Sequence, residues 1–323
     1  MTALVLVAVT SVAGTAYYVG SNSQDRLVVS TTTSLYDTGL LDIIEDQFEA
    51  EHPIDLYFIS VGTGLAIKHS ERGDADMILV HAPSKELSFL EGGYGVCRKI
   101  IAYSFFAIVG PEADSANIRR SSPTQALSNI VETGNQEGAK WVSRGDDSGT
   151  HTKEKALWET AGFNWTIIRD EEWYVEAGAG MGKTLQIADN LEAYTLTDMG
   201  TYLKYFKDGI ISSEALVTEG EELLNVYSAI ASNQTLHSDI NFDLAITFMK
   251  FLASEKGQDI IASFGEDLYE QSLFYPAVNL LEHDTEPTIV QWITDYAFFS
   301  GYECPPEYQD DRPELYTERS EPS

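Results

Sequence analysis

Three clusters of Ser, Thr and Gly carry the donor groups needed to hold an oxyanion. They are STTTS (residues 30–34), SVGTG (residues 60–64) and SRGDDSGTH (residues 143–151). Each follows a short apolar run and precedes a helical pattern, which predicts a strand-to-helix junction. The first N–H groups of a helix lack partners within the helix, so they suit an anion. One such cluster would indicate only N-capping, but three of them indicate one shared oxyanion site.

The cluster SRGDDSGTH is the most specific of the three. Arg144 can offer a planar fork of N–H donors to an oxyanion. Asp146 or Asp147 can hold that guanidinium in place or cap the helix that follows. A purely structural salt bridge is the alternative role for Arg144, and the scarcity of Arg in this chain argues mildly against it.

Ser, His and Asp also coexist in this cluster, as they do in hydrolases. His151 directly follows Thr150 on the predicted helix, so it is poorly placed to face Ser148 as a base must. The six His of the chain form no pair four residues apart with an acid nearby. We therefore expect a binding protein that has no catalytic site, no metal site and no cofactor.

A glycine-rich stretch, AGAGMGKTLQ (residues 177–186), approaches a nucleotide-binding P-loop. Ala177 stands where the strict motif has Gly, and Gly182, Lys183 and Thr184 complete the pattern. The nearest candidate for an accompanying apolar strand that ends in Asp, WTIIRD, is interrupted by Arg169. The stretch is therefore predicted to be a close-packed turn that opens a helix, while an NTPase is an alternative. Lys183 and Thr184 are further candidates for the oxyanion site.

The chain is strongly acidic. Its 323 residues contain 51 Asp and Glu against 20 Lys and Arg, which gives a formal net charge of −31. Such a surface repels nucleic acids and anionic lipid headgroups, so nucleic-acid binding is excluded. The acids are spread over every segment of the chain. This distribution favours a halophilic protein that works in strong salt, where the Debye length falls to about 3 Å at 1 M and self-repulsion is screened.

The first twenty residues contain no charged side chain and are almost wholly apolar or small. Their length is about that needed to span a bilayer, so residues 1–25 are predicted to be an export signal or membrane anchor. A buried core helix is the alternative. The expected location is extracytoplasmic, at the cell surface. Cys97 and Cys304 are the two cysteines, and they could either form a disulfide or remain as buried thiols.

Short apolar runs alternate with helical patterns in two blocks. In the first block, LVVST, IDLYFIS and ADMILVH read as strands, and TGLLDIIEDQFEAEH and GLAIKHSERG read as helices. The same alternation restarts at KWVSRG and ends with the helical MGTYLKYFKDG. Two such α/β units predict two lobes with a cleft between them. Apolar runs at residues 103–111 and 223–231 bracket the second unit and are predicted to be crossover strands.

These patterns suggest the following organisation. Lobe 1 comprises residues 26–105 and 228–285, and lobe 2 comprises residues 106–227. Residues 286–323 form a C-terminal extension with an acidic tail. The chain is expected to become irregular beyond about Phe274, and its final dozen residues are predicted to be disordered.

Six motifs occur in an order and spacing that resemble a known family. They are STTTS, VGTGLAIK, GDADMILVHAP, SRGDDSGTH, GAGMGKTLQIAD and AYTLTDMGTYL. From about Leu27 to about Gly265 the chain resembles the solute-binding proteins of tungstate ABC transporters. The resemblance implies an α/β, two-lobed type II periplasmic-binding-protein-like fold, in which each lobe is a doubly wound mixed sheet and the ligand lies in the cleft. The core from Arg144 to Thr150 is also similar to phosphate-binding proteins of that fold, so phosphate is an alternative ligand.

The resemblance also implies ligands, partners and site residues. The lobes would close over tetrahedral tungstate, with molybdate as a close second, and a monomer would hand the anion to a permease and its ATPase. By motif, the donors would be Thr32, Thr33, Ser34, Thr63 and Gly64 from the first lobe and Arg144, Ser148, Gly149 and Thr150 from the second. Three features depart from the family pattern: Ser104 and Phe105 replace a common Asn-Asp pair, Lys183 replaces a small residue, and a lipid-anchor Cys is missing.

Overall fold

The structure, a computed structural model, describes residues 25–316. The predicted N-terminal export or anchor segment lies outside these residues, except for Asp25. The strands are β1 (Asp25–Thr32), β2 (Ile54–Val61), β3 (Met77–Val80), β4 (Gly95–Gly110), β5 (Trp141–Ser143), β6 (Tyr174–Glu176), β7 (Thr195–Asp198), β8 (Glu214–Val217), β9 (Leu224–Ser232) and β10 (Tyr275–Pro276).

Helices follow most of the strands. They are α1 (Thr33–Tyr36), α2 (Leu40–Glu51), α3 (Thr63–Glu71), α4 (Pro83–Glu91), α5 (Pro123–Gly134), α6 (Gly149–Thr160), α7 (Trp165–Ile168), α8 (Met181–Asn190), α9 (Met199–Lys207), α10 (Phe242–Ala253), α11 (Glu255–Ser263), α12 (Glu266–Tyr269), α13 (Val278–His283) and α14 (Pro287–Ala297). Short 3₁₀ turns cover Glu221–Leu223, Pro306–Tyr308 and Pro313–Leu315.

The first lobe is built on a mixed sheet with the strand order β10-β4-β9-β3-β1-β2. Strand β1 pairs in parallel with β2 and β3, while β9 runs antiparallel to β3 and β4. All four residues of β3 are buried, as its unbroken apolar run predicts. Helix α2 buries Leu40, Leu41, Ile44 and Phe48, which are the residues that the helical periodicity places on one face. The carboxyl ends of β1 and β2 therefore lead directly into α1 and α3.

Strand β4 connects the two lobes. Its first part, to Phe105, pairs with β9, and from Phe106 onward it pairs with β7 and β8. Trp141, at the start of β5, bridges in parallel to Tyr194, and β5 pairs with β6 to complete the second lobe. Strand β9 pairs only within the first sheet, from Leu224 onward. The two predicted crossover runs therefore differ in their pairing. Strand β4 pairs with strands of both lobes, whereas β9 pairs within lobe 1 and Leu223, just before it, packs in the core of lobe 2.

The region after Phe274 is more regular than its sequence suggests. Helices α13 and α14 form there, and Val290, Ile293 and Ala297 pack as one buried face of α14. Their spacing of three and four residues is helical, so the expectation of an irregular chain is wrong at this point. Leu315, within the acidic tail, is buried against the core of the first lobe. The last seven residues of the predicted disordered tail lie outside the described part of the chain.

Both cysteines are buried and unpaired. Of the two alternatives, a disulfide or two buried thiols, the structure therefore has the thiols. The Sγ of Cys97 donates a hydrogen bond to the carbonyl of Gln309 at 3.3 Å, and burial raises the pKa of this thiol to about 12. Within residues 25–316, no helix is long and apolar enough to cross a membrane. The same residues contain no group of three or more His, Cys, Asp or Glu side chains arranged to hold a metal ion.

Candidate functional site

The three Ser/Thr/Gly clusters lie at the strand-to-helix junctions where the sequence places them. Helix α1 is N-capped by Thr32, α3 by Gly62 and α6 by Ser148. The Thr32 hydroxyl accepts from the N–H of Leu35 at 3.4 Å, and the Ser148 hydroxyl accepts from the N–H of His151 at 3.2 Å. Capping thus occupies two of the hydroxyls. It leaves the remaining N–H groups of the first turns available to an anion.

Two glycines allow the clusters of the two lobes to touch. A Cβ at Gly64 would lie 2.7 Å from a carboxylate oxygen of Asp147, and a Cβ at Gly149 would lie 2.6 Å from the ring of His81. Both distances are shorter than real Cβ contacts. The backbone at the N-termini of α3 and α6 therefore approaches the opposite lobe as closely as it does because these positions lack side chains.

Polar contacts hold the lobes together around the clusters. The Lys85 ammonium of α4 pairs with the Asp147 carboxylate at 2.7 Å and also donates to the Asp147 carbonyl at 2.9 Å. Lys204 of α9 donates to the carbonyl of Asp37 at 2.9 Å. Arg144 donates from Nη2 to the hydroxyl of Thr33 at 3.4 Å. The structure is therefore that of the closed protein, with the junctions of both lobes on one shared surface.

Arg144 is buried at the centre of this surface, with 3% of its side chain exposed. Its Nε and Nη2 donate to one oxygen of Asp146 at 3.1 and 2.5 Å. The other oxygen of Asp146 accepts from the N–H of Ser148 at 3.2 Å. Asp146 thus has both roles considered from the sequence, because it orients the guanidinium and binds the start of α6. The salt bridge and an anion-binding role for Arg144 are compatible, since a guanidinium has five N–H donors.

Two of the buried hydroxyls that have no partner among the described residues lie in the Ser/Thr/Gly clusters. Thr63 begins α3 in the first lobe and Thr150 lies in the first turn of α6 in the second; their exposed fractions are 0% and 1%. Among residues 25–316, neither Oγ1 has a hydrogen-bond partner. Leaving a buried hydroxyl unsatisfied costs about 1–3 kcal/mol. Such a cost at the starts of both α3 and α6, which approach each other from opposite lobes, points to a ligand that completes both groups.

The glycine-rich stretch has a separate structural role. Lys183 is exposed and forms no ion pair among the described residues. The Thr184 hydroxyl donates to the carbonyls of Ala179 and Gly180, at 3.2 and 3.1 Å, so α8 itself uses this donor. A Cβ at Gly182 would collide with the side chain of Tyr205. These contacts describe a close-packed turn, and no described contact joins Lys183 or Thr184 to the junctions of α1, α3 and α6.

His81 belongs to this surface and was missed as a site residue, although it lies in the motif GDADMILVHAP. Its Nε2 lies 3.2 Å from the hydroxyl of Ser34, and its Nδ1 lies 2.8 Å from Oδ1 of Asn225. The amide nitrogen of Asn225 donates to Tyr227 and Ser104, so Oδ1 is the acceptor and His81 carries its proton on Nδ1. Nε2 then accepts from Ser34. The hydroxyl of Ser34 is therefore engaged by His81, and an anion could bind only the backbone N–H of Ser34.

Burial keeps His81 neutral. Burial lowers the pKa of His81 to about 4, and the positive charges of Arg144 and Lys153 lower it as well. The hydrogen bond to Asn225 acts in the opposite direction. The His151 ring accepts from the N–H of Asp147 at 3.1 Å, and burial lowers its pKa to about 4 as well. The other ring nitrogen, Nε2, has no hydrogen-bond partner among residues 25–316, so the ring of His151 does not bind the hydroxyl of Ser148.

The depressed pKa of His81 gives a testable pH dependence. A group with a folded pKa of about 4 and an ordinary value of 6.5 stabilises the fold fully above pH 6.5, and this contribution is lost as pH falls through 4. Between pH 7 and 4.5 the loss is about 2 kcal/mol. We expect the free energy of unfolding of His81→Gln to fall less over this interval than that of the unchanged protein, measured by urea titration. An equal slope in the two proteins would contradict the assignment.

Comparison with known proteins places this geometry in a family. A model described as a PBP superfamily domain matches residues 13–256. A tungstate-binding protein TupA from Peptoclostridium acidaminophilum is 36% identical over 256 residues, which are 79% of this chain and 87% of the relative. The chain belongs to the PBP superfamily and, within it, to the TupA family.

Two further relatives agree with this placement. A protein from Haloferax volcanii is 41% identical over 261 residues, 80% of this chain and 73% of its own length. The solved structure of the tungstate-binding protein TupA from Desulfovibrio alaskensis is 38% identical in sequence and has a TM-score of 0.67. The match covers 78% of this chain and 98% of that structure. The predicted fold class is confirmed: the family has the two-lobed type II fold of periplasmic binding proteins, with mixed sheets and a cleft between the lobes.

Proposed function

We propose that this chain is the extracytoplasmic solute-binding protein of an ABC importer and that it captures tungstate between its lobes. The unpartnered hydroxyls of Thr63 and Thr150 carry the proposal, since they face one surface from opposite lobes and lack an acceptor. Further donors would come from Thr32, Thr33, Ser34 and Gly64 at the starts of α1 and α3 and from Arg144, Ser148 and Gly149 at the start of α6. A permease and its ATPase would receive the anion, and the protein would act as a monomer at the cell surface.

The chemistry of these donors favours tungstate. Tungstate is fully deprotonated near neutral pH and only accepts hydrogen bonds, so it needs N–H and O–H groups on every side. Protonated phosphate would also need a free acceptor. The carboxylate of Asp146 already accepts from Arg144 and Ser148, and the carboxylate of Asp147 pairs with Lys85. The phosphate alternative is therefore less well supported.

Calorimetry on the purified chain in concentrated salt tests the proposal directly. The titrants are tungstate, molybdate, sulfate and phosphate. We expect tight binding of tungstate, and of molybdate because it has the same charge and shape, with weak or no heat from the other two. Tight phosphate binding without a response to tungstate would overturn the proposal. Turnover of ATP would instead revive the P-loop interpretation of residues 177–186.

The two free hydroxyls can be tested one at a time. Thr63→Val and Thr150→Val keep the shape of each side chain but remove a donor that has no other partner. A hydrogen bond to a charged group contributes about 1.5–3 kcal/mol, so each variant should bind tungstate at least about tenfold more weakly. Each should also unfold at an unchanged or slightly higher temperature, because an unsatisfied buried hydroxyl has been removed. Thr184→Val is the matched control, and an affinity loss there equal to that of Thr63→Val would contradict the proposed site.

The acidic surface gives a separate prediction. With 51 acidic and 20 basic side chains, the fold should lose stability when salt is lowered from molar to millimolar concentration, because like-charge repulsion is no longer screened. We expect the unfolding temperature, followed by circular dichroism, to fall by about 5 °C or more. Sodium and potassium chloride should act alike if screening is the cause. An unfolding temperature independent of salt would rule out the halophilic interpretation.

A further inference from the structure

The segment that follows α13 is fixed to the first lobe. The buried face of α14 packs against Ile100 and Leu224 in β4 and β9. Beyond the helix, the Glu303 carboxylate accepts from the N–H of Ile100 at 2.5 Å and from the Lys99 ammonium at 3.1 Å. Arg98 donates to the carbonyl of Glu303 at 2.6 Å, and its guanidinium lies 4.5 Å from the ring centroid of Phe299. Helix α14 therefore moves with lobe 1.

The same helix also touches lobe 2 at one side chain of the anion-binding helix. The Lys153 ammonium lies 4.0 Å from the ring centroid of Tyr296. Lys153 belongs to α6, one turn after Gly149, and α6 packs in the core of lobe 2 through Leu157 and Trp158. The contact between Lys153 and Tyr296 thus joins the helix that begins at the oxyanion site to an element held by the opposite lobe.

Lys153 is unusual because it is buried without a hydrogen-bond acceptor. Its exposed fraction is 6%, and within residues 25–316 it makes no hydrogen bond or salt bridge. Burial lowers its pKa to about 7, and the charge of Glu222 opposes this shift. The electron-rich face of an aromatic ring attracts a cation, and the attraction is stronger in a desolvated setting than at an exposed site. The Tyr296 ring, in direct contact, and the more distant charge of Glu222 thus compensate the ammonium for part of the water it has lost.

The seam between α6 and α14 is loosely filled. A pocket of about 320 Å³, open to solvent on one side, is lined there by Lys153, Leu157, Glu222, Trp292 and Tyr296, among others. Close-packed interfaces resist separation because many contacts break at once. A seam with such a pocket can open at a smaller cost, and rotation of lobe 2 away from lobe 1 would separate Lys153 from Tyr296 and increase its exposure to water.

We propose that Lys153 and Tyr296 set the balance between the open and closed lobes, Lys153 opposing closure through its lost hydration and Tyr296 favouring closure through its ring. Tyr296 is a positioning residue, because it acts on the anion through Lys153 and α6 without touching the ligand. Closure removes water from the Lys153 ammonium, and this cost lets the lobes reopen. The Tyr296 ring reduces the cost, so the closed state persists. The inference rests on the proposed function only where the rate of anion release is measured.

Four variants separate this role from simple packing. Tyr296→Leu removes the ring, Tyr296→Phe keeps it, Lys153→Met removes the charge, and the last variant combines Lys153→Met with Tyr296→Leu. Stopped-flow release of tungstate should be about tenfold faster in Tyr296→Leu, unchanged in Tyr296→Phe, and slower than in the unchanged protein in Lys153→Met. In the double variant the loss of the ring should have little further effect, because no cation remains. Equal release from Tyr296→Leu and Tyr296→Phe, or faster release from Lys153→Met, would overturn the proposal.

A measurement without ligand keeps the two proposals apart. The radius of gyration from small-angle X-ray scattering should be larger in Tyr296→Leu than in Tyr296→Phe, and smaller or unchanged in Lys153→Met. If the unchanged protein fails to bind tungstate, the proposed function fails, and scattering alone decides the role of Lys153 and Tyr296. An equal radius of gyration in Tyr296→Leu and Tyr296→Phe would then overturn the proposed role of Lys153 and Tyr296.

Discussion

Replacing Arg144 with alanine is expected to weaken tungstate binding by about 2 to 5 kcal/mol, a factor of roughly 30 to several thousand. Arg144 is the buried cation at the meeting point of the two lobes, and the net charge of −31 gives the anion no general attraction to the protein. Without the guanidinium, a desolvated dianion would be left with neutral donors alone. Isothermal titration with tungstate measures the loss.

Two controls accompany this variant. Arg169→Ala removes a guanidinium that is 40% exposed and pairs with Glu176, so it changes the charge equally but should leave the affinity almost unchanged. Lys183→Ala tests the glycine-rich stretch, whose exposed Lys should also contribute little. If Lys183→Ala loses binding while Arg144→Ala keeps it, the site lies at α8, and its assignment to the start of α6 is wrong.

Replacing Glu86 with alanine is expected to lower the free energy of unfolding by about 3–5 kcal/mol. Glu86 and Arg98 form an ion pair at 2.8 Å in which both side chains are fully buried. The second oxygen of Glu86 accepts from the N–H of Ala82 at 2.8 Å, at the start of α4. The substitution leaves Arg98 charged, buried and without its carboxylate, which is among the costliest arrangements in a protein core. Urea unfolding followed by circular dichroism gives the value.

The controls for Glu86 separate a buried charge from a general loss of ion pairs. Lys256→Met breaks an exposed pair with Glu51 and should cost no more than about 1 kcal/mol. The double variant Glu86→Leu with Arg98→Met removes both charges, so it should recover much of the stability lost in Glu86→Ala. A double variant less stable than Glu86→Ala would show that the pair stabilises the fold by more than the penalty of an unpaired charge.

Local patterns determined much of this protein. The helical face of Leu40, Leu41, Ile44 and Phe48 and the buried run of β3 follow from interactions between neighbours in the chain, and each forms as predicted. The cap of α6 is also local, but it is Ser148, whereas the sequence had offered Asp146 or Asp147. The two α/β blocks and the family motifs were sufficient to predict the two-lobed fold. Such features depend on spacing and side-chain type, which a single sequence displays directly.

Other features depend on contacts between distant segments. Nothing around His81 indicates that Asn225, 144 positions later, fixes its proton and thereby engages the hydroxyl of Ser34. The placement of Tyr296 over Lys153 likewise depends on α14, in a region whose aromatic residues had suggested an irregular chain. The sequence alone determined the helix ends that can hold an anion, because capping and the alignment of backbone N–H groups are local. Only the tertiary structure decided which donors remain free and which cations are buried, because burial and hydrogen-bond pairing are set by segments that meet through folding.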